Sequence, residues 1–314
     1  MLIKKERFHF AQEEEGQLMV DVTDRVNNRP IDGASVSISY AGDPQDTLEQ
    51  LTTDSNGMTE EIDLAAPPRS YSEYPLSDVQ PYSEYNLIIT APGYEPTTIS
   101  GSEIFSGELS VQPVRLNPVL PNASASVINI PANTLWGVFP PKIPEDEIKP
   151  VRSSGEIVLS RVVIPEYIVV HDGVPSDSSA TDYYVRYADY IKNVASSEIY
   201  STWPEATLRA NITAIMSFTL NRVYTEWYRN KGYDFTITTS TAYDHKWIYG
   251  RNIFDSISRI VDEIFANYIS RPNVKQPILT QYCDGKRVSC PNAMSQWGSK
   301  ALGDDGYSDI EILR

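Results

Sequence analysis

One glutamate, Glu198, stands at a position where its carboxyl could do acid chemistry. It lies near the end of one predicted helix and just before Trp203-Pro204, which begins the next. A bend of this kind can point the carboxyl into a cleft beside aromatic surface, where loss of solvent raises its pKa. A carboxylic acid that stays neutral at working pH can protonate the leaving oxygen of a glycosidic bond. Glu198 is therefore the candidate general acid, with a solvated or capping glutamate as the alternative from the residues alone.

Composition limits the substrates that such an acid would meet. The 314 residues favour two domains, and a net charge of −16 argues against a nucleic-acid partner. No apolar run approaches the ~20 residues that cross a bilayer, and the opening residues show no secretory signal, so we expect no membrane partner. Carbohydrate remains open, because 20 tyrosines and 5 tryptophans offer surfaces on which sugars stack.

Two cysteines, Cys283 and Cys290, lie close together in a stretch that is typical of a turn between strands. A zinc site there would need distant ligands, because the chain has only three histidines, His9, His171 and His245. We expect two free thiols or a local disulfide rather than a metal, and we expect no cofactor.

The first hundred residues alternate between apolar and polar side chains in short runs, for example at 18–22, 35–39 and 86–90. Alternation of period two predicts strands with one buried face, and turn residues separate the runs. Short strands at this spacing favour a β-sandwich over residues 16–117, after a leader over 1–15. Asp54 and Asn56 are expected in an Asx-turn rather than a calcium site.

The turn motifs of this region carry a resemblance. In order, they are Arg29-Pro30-Ile31-Asp32-Gly33-Ala34-Ser35-Val36, Thr53-Asp54-Ser55-Asn56-Gly57 and Ala91-Pro92-Gly93-Tyr94. This stretch resembles the transthyretin-like, carboxypeptidase-regulatory-like sandwich family. Such modules usually act as spacers or docking platforms, so the resemblance implies a fold and no catalysis.

Prolines recur over residues 118–165, which predicts an extended connector, partly packed on a domain because it contains apolar pieces. Residues 166–314 then mix strands and helices, so the second domain is predicted to be α+β. Helical spacing begins near Thr181 with Asp182 as a cap, and a long buried helix follows Pro204. Residues 253–269 predict an amphipathic helix, and 235–239 and 278–282 predict strands.

Three motifs of this second region resemble the sporulation protein D/LytB family. The first is its glutamate-bearing motif, whose positions are filled here by Glu198, Ile199, Trp203, Pro204, Leu208, Arg209 and Ala210. The middle motif is similar to residues 235–239 with Tyr249-Gly250, and the closing one to 294–299. With a sandwich module in front, the chain most resembles clostridial spore cortex-lytic enzymes.

The resemblance implies a peptidoglycan lytic transglycosylase that acts on spore cortex during germination, outside the cytoplasm. One glutamic acid, here Glu198, protonates the bond between N-acetylmuramic acid and N-acetylglucosamine. As carboxylate it then helps the muramic 6-hydroxyl attack C1, which gives a 1,6-anhydro end. The implied glycan-groove residues are Ser295, Gln296, Trp297, Arg209, Tyr249 and Tyr282. Core packing is an equal alternative for Trp297, and a solvated helix face for Arg209.

Some positions depart from the family. Met216 replaces an arginine of the helix, residues 288–293 replace the glycine-rich lead-in of the closing motif, and only His245 remains where some relatives bind metal. Two rivals therefore stay open: a catalytically silent peptidoglycan-binding or spore scaffold, and a glycan hydrolase (muramidase or glucosaminidase) with Asp244 as its second acid. The sequence leaves the oligomeric state open.

Overall fold

The computed structural model describes residues 14–75, 77, 79–120, 125–149 and 158–314. The chain divides into two units. Unit 1 holds residues up to 132 together with 200–202 and 248–256, and unit 2 holds 133–199, 203–247 and 257–314. The predicted leader lies almost wholly outside the described residues, since the first described strand begins at Glu14.

The strands and helices are numbered in chain order. The strands are β1 (Glu14–Asp24), β2 (Ser35–Tyr40), β3 (Thr47–Thr52), β4 (Ile62–Ala66), β5 (Ser83–Thr90), β6 (Thr97–Ile104), β7 (Leu109–Leu116), β8 (Ser126–Asn129), β9 (Tyr167–His171), β10 (Asp182–Arg186), β11 (Ile237–Thr238), β12 (Ile253–Phe254), β13 (Tyr282–Cys283) and β14 (Met294–Ser295). The helices are α1 (Ser70–Glu73), α2 (Tyr187–Glu198), α3 (Glu205–Tyr224), α4 (Asp255–Ile264), α5 (Gln296–Asp304) and α6 (Asp309–Ile312). No helix in the described ranges is both long enough and apolar enough to span a bilayer.

Unit 1 is a β-sandwich, as the alternating pattern predicts. One sheet has the strand order β12-β7-β1-β4 and the other β3-β2-β5-β6-β8. Alternate residues of both sheets enter one core: in β5, for example, Leu87 and Ile89 are fully buried, whereas Ile88 between them is 47% exposed. Because the side chains of a strand alternate between its faces, this burial fixes the register of each strand.

The turn at residues 53–57 confirms the Asx-turn that the sequence predicts. The Asp54 carboxylate accepts hydrogen bonds from the amides of Asn56 (2.8 Å) and Met58 (3.0 Å). Gly57 has φ +79°, and a Cβ atom there would lie 2.5 Å from the Val22 carbonyl oxygen. Only glycine fits this position, because a side chain would meet both backbone strain and a steric clash.

Unit 1 also takes in residues 248–256, which the predicted boundary at 166 assigns to the second domain. β12 pairs antiparallel with β7, and the Asn252 side chain donates to the Glu103 carbonyl (2.8 Å) and to Ser110 Oγ (2.6 Å). Beside them, Arg251 and Glu103 form an ion pair whose two side chains are at most 1% exposed. Strand pairing and buried polar contacts within unit 1 thus hold residues 248–256 in the sandwich.

Unit 2 combines helices with a small sheet of order β10-β9-β11 and the parallel pair β13-β14, an α+β content. Sixteen of the twenty residues of α3 are buried, so this helix is enclosed on nearly all sides. Its buried threonines bond to the preceding turn, as Thr213 does to the Arg209 carbonyl (2.8 Å) and Thr219 to the Ile215 carbonyl (2.8 Å). Pro204 is the N-cap of α3 rather than its first helical residue, so the helix begins one residue later than predicted, at Glu205.

The predicted start of the preceding helix is wrong. Residues 182–186 form strand β10 against β9, and α2 begins only at Tyr187. Asp182 does not cap a helix; its Oδ1 lies 2.7 Å from Nδ1 of His171, the residue opposite it across the strand pair. The pairing with β9 therefore overrides a helical spacing that continues only from residue 187. The predicted helix over 253–269 is likewise shorter, ending at Ile264.

We expect Glu103→Ala to destabilise unit 1 strongly, since it leaves the buried Arg251 guanidinium without its carboxylate. Loss of one partner of a buried ion pair costs about 3–5 kcal/mol of the free energy of unfolding. Urea denaturation measures the loss, with the exposed Glu60→Gln as the control variant. A change below about 1 kcal/mol, the ordinary range for surface pairs, would contradict the assignment of this pair as buried and essential.

Candidate functional site

Glu198 is the last residue of α2 and is buried, with only 3% of its surface exposed. The chain leaves the helix in an extended conformation at Ile199 (φ −132°), so the helix ends at the acid. The Glu198 carbonyl oxygen accepts from the Gln296 side-chain amide (2.9 Å) and from Thr134 Oγ1 (3.4 Å). These bonds satisfy a carbonyl that the end of a helix leaves without an internal partner.

The two oxygens of the Glu198 carboxyl have different partners. Oε1 accepts from the backbone amide of Lys246 (2.6 Å), and Oε2 is hydrogen-bonded to the Tyr282 hydroxyl. A backbone amide can only donate, whereas a phenol can donate or accept. When the carboxyl is protonated, its proton therefore resides on Oε2, facing Tyr282.

Burial raises the pKa of Glu198 above its ordinary value of 4.5. The Lys142 ammonium opposes this most, followed by the hydrogen bonds from Tyr282 and from the Lys246 amide, yet the net direction is upward. Burial also raises the pKa of Tyr282 well above its ordinary value, with the nearby Glu198 charge adding to the rise. Tyr282 is therefore a neutral phenol at working pH, and the carboxyl beside it is shifted toward the acid form.

Lys142 belongs to the proline-rich segment and has its ammonium nitrogen enclosed near Glu198, although the side chain as a whole is half-buried. The nitrogen lies 4.7 Å from the ring centres of Phe218 and of Tyr282, and no described residue forms a hydrogen bond with it. Burial lowers the pKa of Lys142, while Glu198 opposes the shift. Each group thus favours the charged form of the other, while burial disfavours both charges. The faces of the two aromatic rings stabilise the cation directly.

Residues 133–149 hold Lys142 in place along unit 2. The Thr134 amide donates to the Ser197 carbonyl (2.9 Å), and the Ile143 amide donates to the Ala242 carbonyl (2.7 Å). Near the other end, the Lys149 amide donates to Gln276 Oε1 (2.6 Å). The segment has no regular secondary structure, and its backbone is satisfied by these external partners.

His245 packs directly against the tyrosine that binds Glu198. Its ring is nearly parallel to that of Tyr282, with centres 5.8 Å apart, and its Nδ1 lies 3.1 Å from the Tyr190 hydroxyl. Burial lowers the pKa of His245 well below its ordinary value, so the imidazole is neutral. It therefore orients Tyr282 by packing rather than by charge. His245 belongs to no group of potential metal ligands among the described residues.

Asp244, the predicted second acid of a hydrolase, is fully buried and engaged. Its Oδ1 accepts from Arg222 Nε (2.7 Å), and its Oδ2 accepts from the Tyr228 hydroxyl (2.6 Å) and from the amide and hydroxyl of Thr238. Arg222 in turn donates to Glu145 (2.6 Å). Burial alone would raise the pKa of Glu145, but Arg222 and then Lys149 lower it to about 2. Arg222 thus joins two carboxylates in a buried network with a structural role.

The closing motif contacts the backbone carbonyl of Glu198 through the Gln296 side chain. Ser295 caps α5 by accepting from the Gly298 amide (2.9 Å). Trp297 is buried, and its ring centre lies 4.9 Å from that of Trp203, so it packs in the core rather than presenting an open stacking face. Of the three predicted groove residues in this motif, only Gln296 bonds to Glu198.

Cys283 and Cys290 form a disulfide. Closing a loop of this size typically stabilises a fold by about 2–4 kcal/mol. Inside the loop, the Asp284 carboxylate accepts from the amides of Lys286 (3.0 Å) and Val288 (3.0 Å), and the Asp284 carbonyl accepts from the Trp297 amide (3.1 Å). The disulfide loop is therefore tied both to the tyrosine that precedes it and to the closing motif.

The other two predicted groove residues, Arg209 and Tyr249, have hydrogen-bond partners within their own units. Arg209 lies on α3 with its guanidinium bonded to Glu205 (2.7 Å) and to Glu263. Tyr249 belongs to unit 1, where its hydroxyl accepts from Arg25 (2.9 Å). Within unit 2, Arg209 forms no described contact with Glu198, Tyr282 or Gln296.

Lys142 and the Lys246 amide are the partners of Glu198 that sequence reasoning misses. Lys142 lies in a segment without periodicity, so nothing in the sequence indicates which of its residues faces the acid. Lys246 contributes a backbone amide, for which side-chain identity carries no signal. Among the described residues, no group of three potential ligands is placed to hold a metal ion.

No family model matches the chain, and no curated protein matches it either. Among solved structures, it is similar to 5-hydroxyisourate hydrolase from Klebsiella pneumoniae at 18% identity, over 33% of this chain and 92% of that one, with a TM-score of 0.22. The minor pilin GBS52 from Streptococcus agalactiae matches at 17% identity, over 36% and 48% of the two chains, with a TM-score of 0.24. Catechol 1,2-dioxygenase from Acinetobacter radioresistens matches at 13%, over 37% and 58%, with 0.22. Similarities this low carry no argument about function.

We expect Glu198→Gln to be more stable than the wild type, by an amount that grows with pH. Because the folded-state pKa of Glu198 is raised, the wild type loses stability as pH rises from 4.5 through the folded pKa, whereas glutamine does not titrate. Thermal unfolding at a series of pH values measures the difference, with the exposed Glu166→Gln as control. A difference that does not change with pH would show that folding leaves the pKa of Glu198 unshifted, and one that shrinks would show that the fold favours the ionised form; either result would contradict the raised pKa.

Proposed function

We propose that this protein is a peptidoglycan lytic transglycosylase that cleaves the bond between N-acetylmuramic acid and N-acetylglucosamine in spore cortex during germination, outside the cytoplasm. The observation that carries the proposal is the enclosed carboxyl of Glu198, whose Oε2 is hydrogen-bonded to the Tyr282 hydroxyl and whose pKa is raised by burial. Its place in a three-motif pattern similar to the sporulation protein D/LytB family supplies the substrate class. The glycan strands of peptidoglycan are the proposed partner.

In this reaction one carboxyl performs two steps. Neutral Glu198 gives its Oε2 proton to the glycosidic oxygen as the bond to C1 breaks, and the resulting carboxylate accepts the proton of the muramic 6-hydroxyl as that oxygen bonds to C1. The products are a free 4-hydroxyl on the leaving sugar and a 1,6-anhydro ring, and Glu198 ends protonated as it began. No second carboxylate is needed, because the substrate supplies the nucleophile; most glycosidases use two carboxylates.

The charge around Glu198 suits this cycle. Lys142 and the Lys246 amide stabilise the carboxylate that exists between the two proton transfers. Burial then favours the protonated form that Glu198 regains from the 6-hydroxyl. Tyr282 occupies the side of Oε2 from which the proton leaves, so a glycosidic oxygen must share or take the place of its hydroxyl. Gln296 holds the backbone at the end of α2, which fixes the position of the acid.

Two observations bear on the rival functions. Glu198 is 3% exposed with both oxygens bonded, which favours a silent glycan-binding scaffold as the second candidate. A hydrolase with Asp244 as its second acid is the weaker rival, because Asp244 is fully buried and saturated by Arg222, Tyr228 and Thr238.

Replacement of the acid tests the proposal. We expect Glu198→Gln to reduce release of anhydro-muropeptides from cortex peptidoglycan by about 100- to 10,000-fold, the usual contribution of a general acid. Mass spectrometry of the soluble products measures it. The matched control is Glu166→Gln, an exposed carboxylate outside the three motifs, which should keep full activity.

Three results would count against this assignment. They are equal activity of Glu198→Gln and wild type, reducing ends in place of anhydro ends, and glycan binding by a wild type that releases nothing. The second result would favour the hydrolase, and the third would favour the scaffold.

Removal of the Tyr282 hydroxyl should move the pH profile in a defined direction. Its hydrogen bond lowers the pKa of Glu198, so Tyr282→Phe raises that pKa further. Because the general acid must be protonated, the alkaline limb of kcat/KM shifts to higher pH while the maximal rate falls. Steady-state rates from pH 5 to 9 provide the measurement. A limb that shifts to lower pH would contradict the contact as described.

A further inference from the structure

The disulfide lies directly beside the acid's hydrogen-bond partner. Tyr282, which binds Glu198 Oε2, and Cys283, which bonds to Cys290, are the two residues of strand β13. β13 is only two residues long and pairs with β14, so its regular hydrogen bonding is slight. A strand this short depends on restraints outside the ladder to keep its place.

The loop closed by the disulfide supplies those restraints. One carboxylate oxygen of Asp284 accepts hydrogen bonds from the amides of Lys286, Arg287 and Val288. The Asp284 carbonyl accepts a hydrogen bond from the Trp297 amide. Gly285 has φ +77°, and a Cβ atom there would lie 1.8 Å from Ser295 Oγ. The loop is therefore pressed against the start of the closing motif with no room for a side chain.

Arg287 extends the loop's contacts to the segment that carries Lys142. Its guanidinium donates to the carbonyls of Thr134 (2.8 Å) and Gly137 (2.7 Å), while its Nε donates to Asp284 (2.7 Å). Thr134 in turn bonds to the Glu198 carbonyl. One eight-residue loop is thus joined to Tyr282 by the chain, to the closing motif by hydrogen bonds and, through Thr134, to the Glu198 carbonyl.

We infer that the Cys283–Cys290 disulfide is a positioning device for the acid, which holds Tyr282 against Glu198 and makes the activity depend on the redox state of this bond. The inference rests on the proposed function for its catalytic consequence, though not for its structural one. Both cysteines are half-buried, and the chain has no others, so a reductant has a single target. A dithiol breaks the S–S bond by a two-electron reduction, the two sulfurs take up its two protons, and the dithiol closes to a cyclic disulfide.

Dithiothreitol-treated and untreated full-length protein provide the first comparison. We expect reduction to lower kcat for anhydro-muropeptide release by about 10- to 100-fold, a larger factor than its effect on KM, because displacement of Tyr282 misaligns the acid. The double variant Cys283→Ser/Cys290→Ser should have the kcat of the reduced wild type, and dithiothreitol should not change it. Ser289→Ala, within the same loop, should keep both the activity and the thiol sensitivity of the wild type.

Tyr282→Phe separates positioning from general loosening of the loop. If the disulfide acts through the Tyr282 hydroxyl, reduction of this variant lowers kcat no further, so the two changes are not additive. If reduction lowers kcat of Tyr282→Phe by the same factor as that of the wild type, the inference is overturned. Full kcat in the reduced wild type overturns it as well.

Hydrogen exchange gives a readout that does not need activity. Reduction should speed exchange of the amides at residues 282–297, which the loop protects, and leave α3 unchanged as the internal control. If oxidised protein releases no anhydro products, the proposed function fails, but this exchange pattern still supports the positioning role of the disulfide. Unchanged exchange at 282–297 on complete reduction would contradict that role.

Discussion

The enclosure of the Glu198 carboxyl between the Lys246 amide and the Tyr282 hydroxyl is the constraint on which the rest of unit 2 depends. Desolvation makes the ionised form costly, and each oxygen keeps one hydrogen bond so that the burial is tolerable. The end of α2, the side chain of Gln296 and the segment at Thr134 hold the backbone of this residue. The stacked ring of His245 and the disulfide loop hold its phenolic partner.

Lys142 acts in the opposite sense to burial, and the balance between the two decides the chemistry. A buried cation near a carboxyl would by itself lower the pKa of that carboxyl. Here the ammonium is stabilised by the faces of Phe218 and Tyr282, and its own pKa is lowered by the same burial. The net effect on Glu198 is upward, so desolvation prevails over the charge. The contrast is Glu145, where bidentate contact with Arg222 prevails and lowers the pKa to about 2.

Much of the fold follows from local pattern, because alternation and turn chemistry are recorded in neighbouring residues. The sandwich and the Asx-turn at Asp54 are of this kind, and the position of Glu198 at a helix end follows from the spacing before Pro204. Strand β10 is missed because its pairing with β9 is decided by residues eleven or more positions away. The place of residues 248–256 in unit 1 depends on buried polar contacts with Glu103 and Ser110, which no periodicity reports. Lys142 and the Lys246 amide reach the acid through tertiary contacts alone.

The central claim is that Glu198 cleaves a glycosidic bond without water, and digestion of cortex peptidoglycan in H₂¹⁸O tests it most directly. The account predicts muramic ends that are 18 mass units lighter than unlabelled reducing ends, since no water is added across the cleaved bond, and that carry no ¹⁸O, because the substrate's own 6-hydroxyl attacks C1. Reducing ends that carry one ¹⁸O atom would show that water is the nucleophile and would contradict the account.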